Sequence, residues 1–149
     1  DLNKAIALYA EGAKMNHAKS KEKWLSFALV QFSLGEQALA AKQYKEAIAC
    51  FELAMQKGHS QAKERLEMTK KTFALTLWHQ QNYGEAFKAF QDVDNAGALE
   101  ASLYLGECYE KGLGTSVDEK KAIAAYLKAS KNGSKQATER WLKLVQKKQ

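Results

Sequence analysis

Proline is absent from all 149 residues, although average usage of about 5% would put roughly seven in a chain of this length. No helix interior is therefore interrupted by a residue that lacks its N–H and locks φ. β-Branched residues are scarce as well, with Val, Ile and Thr totalling 12 against 24 alanines. Alanine is the strongest helix former and β-branched residues favour strands, so a β-sandwich or barrel is excluded. Cysteine is limited to Cys50 and Cys108, too few for a disulfide scaffold, and each is expected as a small buried thiol in a helical face. The longest uncharged runs, Trp24 to Gly35 and Thr72 to Gly84, fall short of the roughly 18 apolar residues of a helical membrane span.

What is present is a helix-forming, well-mixed composition with 46% hydrophobic and 27% charged residues. That balance argues against disorder, and a chain this size can bury about 68–70% of its unfolded surface. The expectation is one all-α domain. A net charge of +6 suggests nucleic acid until it is located. Lys128, Lys131, Lys135, Arg140, Lys143, Lys147 and Lys148, opposed only by Glu139, carry the whole excess, and the rest of the chain is neutral. A groove-binding protein spreads its basicity along a face, whereas a solvated last helix accounts for a terminal cluster.

Self-comparison reveals a repeat. Ala47, Phe51, Ala54 and Gly58 align with Ala122, Tyr126, Ala129 and Gly133, and again with Ala86, Phe90, Val93 and Gly97. A degenerate copy begins with Ala5, Tyr9 and Gly12 and has Asn16 in place of the closing glycine. Positions i, i+4 and i+7 share one helical face, and the terminal glycine fits a left-handed C-cap. Each later copy is preceded by another helical stretch, with Tyr44 and Tyr83 three residues ahead of Ala47 and Ala86. The unit is a hairpin of a first-type and a second-type helix, brought close by small residues.

Ala101, Leu105-Gly106, Tyr109, Gly112-x-Gly114, Asp118, Ala122, Tyr126, Ala129, Gly133 and Ala137 together resemble a full Sel1-like repeat. Leu34-Gly35, Tyr44, Ala47, Phe51 and Ala54 resemble a tetratricopeptide repeat, and the copy from Ala74 to Val93 lies between the two patterns. His59 stands where a tetratricopeptide unit commonly ends in proline, and two first-type helices, about 19–42 and 61–81, run longer than usual. The resemblance implies a right-handed α-α superhelix, a solenoid of about three hairpins. Its expected parts are a half-repeat over about 1–17, repeats over about 18–59, 60–97 and 98–133, and a capping helix over about 134–149. In that cap Trp141, Leu142 and Val145 should pack inward, with Lys143, Lys147 and Lys148 facing water. Beginning halfway through a repeat implies the C-terminal part of a longer array.

Catalytic chemistry finds little support. His17, His59 and His79 fall in different units and lack partners at the i+4 spacing of a helical metal site. Gly112-x-Gly114 follows a helix instead of a strand, so a tight turn explains it better than a phosphate cradle. Asp92 and Asp94 close a helix before Asn95, where a turn role suffices. No cofactor, metal or enzymatic activity is expected.

In a solenoid the first-type helices line a concave wall suited to extended partners. The resemblance puts Leu29, Phe32, Glu36 and Leu39 on that wall in the first hairpin, and Met68, Lys71, Leu75, Trp78 and His79 in the second. In the third it puts Glu100, Leu103, Glu107, Glu110 and Lys111, with Gln136, Glu139 and Lys143 from the cap. Among these, Phe32, Glu36, Met68, Lys71, Leu75, Trp78, His79, Glu100, Leu103, Glu107, Glu110 and Lys143 form the candidate partner-binding groove. Trp78, with Met68, is the expected anchor, since the interior positions on its helix are already occupied by Ala74 and Leu77. Core packing competes for Phe32, Leu29, Leu75 and Trp78 itself. Lys71 and the acidic trio Glu100, Glu107 and Glu110 would set orientation and association rate. Phe32 and Glu36 stand where tetratricopeptide carboxylate clamps carry Lys and Asn, so a chaperone-tail site is not expected.

The function implied is a non-catalytic scaffold, expected to be monomeric, that docks a protein or peptide segment. The partner class could extend to a cell-envelope enzyme or a host factor, because many Sel1-like proteins are bacterial adaptors in the periplasm or outside the cell, some of them linked to virulence. A cytoplasmic adaptor is the alternative setting. Two other readings stand beside it: a terminal structural cap whose array binds elsewhere, and an RNA-binding helical repeat. The last is disfavoured because the equivalent wall positions Leu39, Trp78 and Glu110 are not matched polar selectors.

Overall fold

The computed structural model describes residues 2–14 and 18–148; Asn16 and His17 lie outside them. The described residues form eight α-helices and no strand: α1 (Leu2–Lys14), α2 (Ala18–Ala40), α3 (Tyr44–Gln56), α4 (Ala62–His79), α5 (Tyr83–Asn95), α6 (Ala101–Lys111), α7 (Glu119–Lys131) and α8 (Lys135–Gln146). The chain divides into two compact units, residues 1–69 and 70–149, with the boundary inside α4.

The aligned small and aromatic residues close both cores. In the first unit Ala38, Ala47, Phe51 and Leu66 cluster, with Phe32, Leu39 and Ile48 against them. In the second, Ala74, Leu77, Ala86, Phe90, Val93, Ala101 and Leu105 form one cluster, and Ala122, Tyr126, Ala129 and Ala137 form another. Small residues at the crossing points let the backbones approach. A Cβ added at Gly35 would come within 2.7 Å of the Phe51 ring, and one at Gly106 within 2.5 Å of the Tyr126 ring. The two glycines are therefore sockets for the large aromatic on the second-type helix.

The helix ends follow local chemistry. Gly58, Gly97 and Gly133 all have φ near +90°, and each sits in a Schellman closure, as in His59 N–H to the Ala54 carbonyl at 2.9 Å and Ser134 N–H to the Ala129 carbonyl at 3.1 Å. The Asp118 side chain caps α7 by accepting from the Lys121 N–H at 3.0 Å, and the Ser134 side chain caps α8 at 3.2 Å from Ala137 N. The α2–α3 and α4–α5 turns are three residues long, and their middle residues, Lys42 and Gln81, take φ of 58° and 60°. The α6–α7 turn is longer and glycine-rich. Its Gly114 lies so close to the Tyr83 carbonyl of α5 that no Cβ fits.

One expectation about the cap needs correcting. Trp141 does pack inward, but Leu142 is 42% exposed, and Leu144 lies against the core in its place. The inward face runs through Ala137, Trp141 and Leu144, the i, i+4, i+7 stripe, which leaves Leu142 about 100° off it.

Candidate functional site

In the first unit, Phe32 and Glu36 lie one turn apart on α2. The Phe32 ring stacks on His59, with centroids 4.0 Å apart and planes 9° apart, and tilts against Phe51 at 5.5 Å. One Glu36 oxygen, Oε2, accepts from Arg65 Nη2 on α4, while Oε1 is buried without a hydrogen-bond partner. Phe32, Glu36, Gln61, Glu64 and Arg65 line a cavity of about 380 Å³. Met68 is exposed, and its sulfur lies 3.9 Å from Arg65 Nη1. Leu25, Leu29, Val30 and Leu34 of α2 are exposed as well.

In the second unit, Lys71 pairs with Glu100, Glu107 pairs with Lys111 at 3.3 Å, and Glu110 pairs with Arg140 of α8 at 3.3 Å. Glu110 also accepts the Tyr126 hydroxyl at 2.5 Å. Burial, reinforced by the bond to Glu110, pushes the Tyr126 phenol well above its ordinary range. The acidic trio is thus neutralised pair by pair and presents no free acidic stripe. Leu103 packs on the Tyr126 cluster and Leu75 on the Ala74–Phe90 cluster. His79 and Lys143 are exposed.

Trp78 occupies both of the settings that compete for it. Half-buried, it meets Tyr83, Phe90 and Tyr104 edge-on at centroid distances of 5.1, 5.9 and 5.3 Å. Phe90 and Tyr104 in turn stack at 4.6 Å. The indole is a packing element of this aromatic cluster with one part left at the surface.

Arg65 was not singled out from the sequence and Arg140 only as one of the terminal basic residues, yet they are the only two arginines in the chain. Both follow the pattern Ala-x-Glu, at Ala62 and Ala137, two alanines that are fully buried. Each reaches back to a glutamate on the preceding first-type helix, where the planar guanidinium suits a carboxylate better than lysine does. A second cavity, of about 290 Å³, was also not foreseen. Asp94, Ser102, Tyr109, Lys121 and Lys128 are among the residues that line it. There Asp94 accepts from Ser102 Oγ at 2.5 Å and Lys128 Nζ at 2.7 Å.

The thiols are in poor positions for nucleophilic chemistry. Cys108 is fully buried in α6, and desolvation, with Glu107 adding, pushes its pKa up to about 12. Half-buried Cys50 is raised by burial and by Glu46. Among the described residues no group of three or more His, Cys, Asp or Glu could hold a metal ion. No helix there is long and apolar enough to cross a membrane.

Comparison with known proteins bears on the fold. No family model matches the chain, and no curated protein does. Among solved structures, a Sel1 repeat protein from Oxalobacter formigenes aligns over 89% of this chain and 98% of its own, with a TM-score of 0.53 and 21% sequence identity. The chain therefore has the all-helical repeat fold of a Sel1 repeat protein.

Proposed function

We propose that this chain is a non-catalytic scaffold that holds a protein or peptide segment on surfaces of its first-type helices. The observation that carries the reading is the ordering of those surfaces by cross-helix ion pairs: Glu36 with Arg65, Lys71 with Glu100, and Glu110 with Arg140. Each pair joins one first-type helix to the start or body of the next. Side chains fixed before a partner arrives lose less conformational entropy on binding, so such pairs favour recognition more than they add stability. Exposed Met68, whose sulfur lies against Arg65, and exposed Leu29, two turns before Glu36 on α2, supply apolar contact. The likeness to a Sel1 repeat fold supports the same reading by analogy. The proposed setting is the bacterial periplasm or the cell exterior, with the cytoplasm as the alternative, which fractionation of the source cells would check.

Site-specific photocrosslinking tests the surface itself. A photoreactive residue at Met68 or Leu29 should capture the same partner, whereas one at Lys45 or Lys88, both exposed on second-type helices, should not. Capture only from Lys45 or Lys88 would overturn the proposal.

A further inference from the structure

We propose that the cavity between α2 and the start of α4 receives a basic side chain, arginine or lysine, from the bound segment. This rests on the scaffold reading above and names what one of its surfaces recognises. Two carboxylates and one guanidinium line the cavity, so its walls carry a net −1. Arg65 is already engaged by one Glu36 oxygen, which leaves Glu64 and the other Glu36 oxygen to meet an occupant. That second oxygen, Oε1, is the informative atom: it is withdrawn from water and accepts nothing. A buried acceptor without a donor is costly, and an occupant that brings N–H groups removes the cost. Rotation about the last bond of a glutamate is soft, so a small turn can bring Oε1 toward an incoming donor while Oε2 stays within reach of Arg65.

Shape and charge favour a long basic side chain over other occupants. Phe32 is held between His59 and Phe51 and offers a fixed apolar wall for the methylene stem. An arginine fork can donate to Glu36 and Glu64 together, and a lysine ammonium can serve either. An acidic side chain would face Glu64 and find Arg65 already neutralised. An aliphatic one would leave Oε1 unsatisfied.

The probes are Nα-acetyl-arginine amide, its neutral citrulline counterpart and Nα-acetyl-glutamate amide, titrated into the full ¹⁵N-labelled chain while amide shifts are followed. The expected result is saturable shifts from the arginine compound centred on Phe32, Glu36, Gln61, Glu64 and Arg65. The citrulline compound should bind about tenfold more weakly, as expected when a charge-assisted bond is lost. Glu64→Gln, at an exposed position, should weaken the arginine compound while leaving the rest of the spectrum unchanged. Equal binding of citrulline, preference for the glutamate compound, shifts centred elsewhere, no saturable shift, or indifference to Glu64→Gln would each overturn the proposal. Photocrosslinking at Met68 separates this failure from that of the scaffold reading: capture without an arginine response removes the basic side chain and leaves the scaffold standing.

Discussion

A single methyl group has opposite consequences at two glycines of this chain. Gly106 and Gly84 both lie in helices, but a Cβ at Gly106 would press into the Tyr126 ring while one at Gly84 would meet nothing within 4 Å. Glycine in a helix interior costs roughly 0.5–1 kcal/mol relative to alanine, whereas overpacking a filled core costs about 1–3 kcal/mol. Gly84→Ala should therefore raise the urea midpoint, and Gly106→Ala should lower it by the equivalent of about 1–2 kcal/mol. If both moved the midpoint the same way, the socket argument for the Gly106–Tyr126 contact would be wrong. Cys108 adds a pH signature. Its thiol ionises near 9.0 when exposed but only at about 12 in the fold, so between these values the unfolded chain binds fewer protons than the native one. Stability must then fall as pH rises from about 9 toward 12, being fully present below that window. Cys108→Ala should flatten that slope, with chemical denaturation from pH 8 to 11 as the measurement.

At the scale of elements, the hairpins depend on turns whose residues are not the best for the job. Lys42 and Gln81 hold left-handed φ, a conformation that costs an ordinary L-residue about 1–2 kcal/mol. Lys42→Gly and Gln81→Gly should each stabilise the chain by about 0.5–1 kcal/mol once the greater freedom of unfolded glycine is subtracted. Unchanged or lowered thermal midpoints would count against the turn geometry. These turns also show what was legible from the residues alone. The i, i+4, i+7 face of Ala122, Tyr126 and Ala129, the glycine caps and the three hairpins could be read because each is a local pattern within about a dozen residues. The Glu36–Arg65 and Glu110–Arg140 pairs could not, since they join residues 29 and 30 apart on different helices. Their one available signal was compositional: two arginines in a lysine-rich chain, each three residues after an interior alanine. Trp78 could not be assigned between groove and core from the residues for a related reason. Its own helix has its interior positions filled, yet Tyr83, Phe90 and Tyr104 from two other helices enclose the indole. Trp78→Ala is accordingly expected to cost about 3 kcal/mol or more of stability, so loss of a partner in that variant would not by itself identify an anchor. The correction at Leu142 has a different, local origin: hydrophobicity alone assigned it inward, although the helical stripe of Ala137, Trp141 and Leu144 excludes it.

Across the whole molecule, the two compact units differ in how much apolar surface they enclose. The unit over residues 1–69 has a cluster built on Ala38, Ala47, Phe51 and Leu66 and leaves Leu25, Leu29, Val30 and Leu34 largely in water. The unit over 70–149 encloses two clusters, one of them around Phe90 and the other around Tyr126. Free energy of local opening tracks the apolar contacts that opening must break, so the first unit should open at lower cost. Nothing in α1 with a described side chain is buried, which puts its amides at the fast end of hydrogen exchange. The tryptophans offer a direct reading, because Trp24 lies in the first unit and Trp78 and Trp141 in the second. With Trp78 and Trp141 replaced by phenylalanine, fluorescence from Trp24 follows the first unit during urea unfolding. With Trp24 replaced by phenylalanine, the other two tryptophans follow the second. The Trp24 midpoint is expected to come first, by a margin that survives comparison with circular dichroism on each variant. Coincident midpoints would mean that α4, whose backbone runs unbroken from one unit into the other, couples them into a single cooperative transition. The stacked-repeat expectation of partly independent units would then fail for this chain.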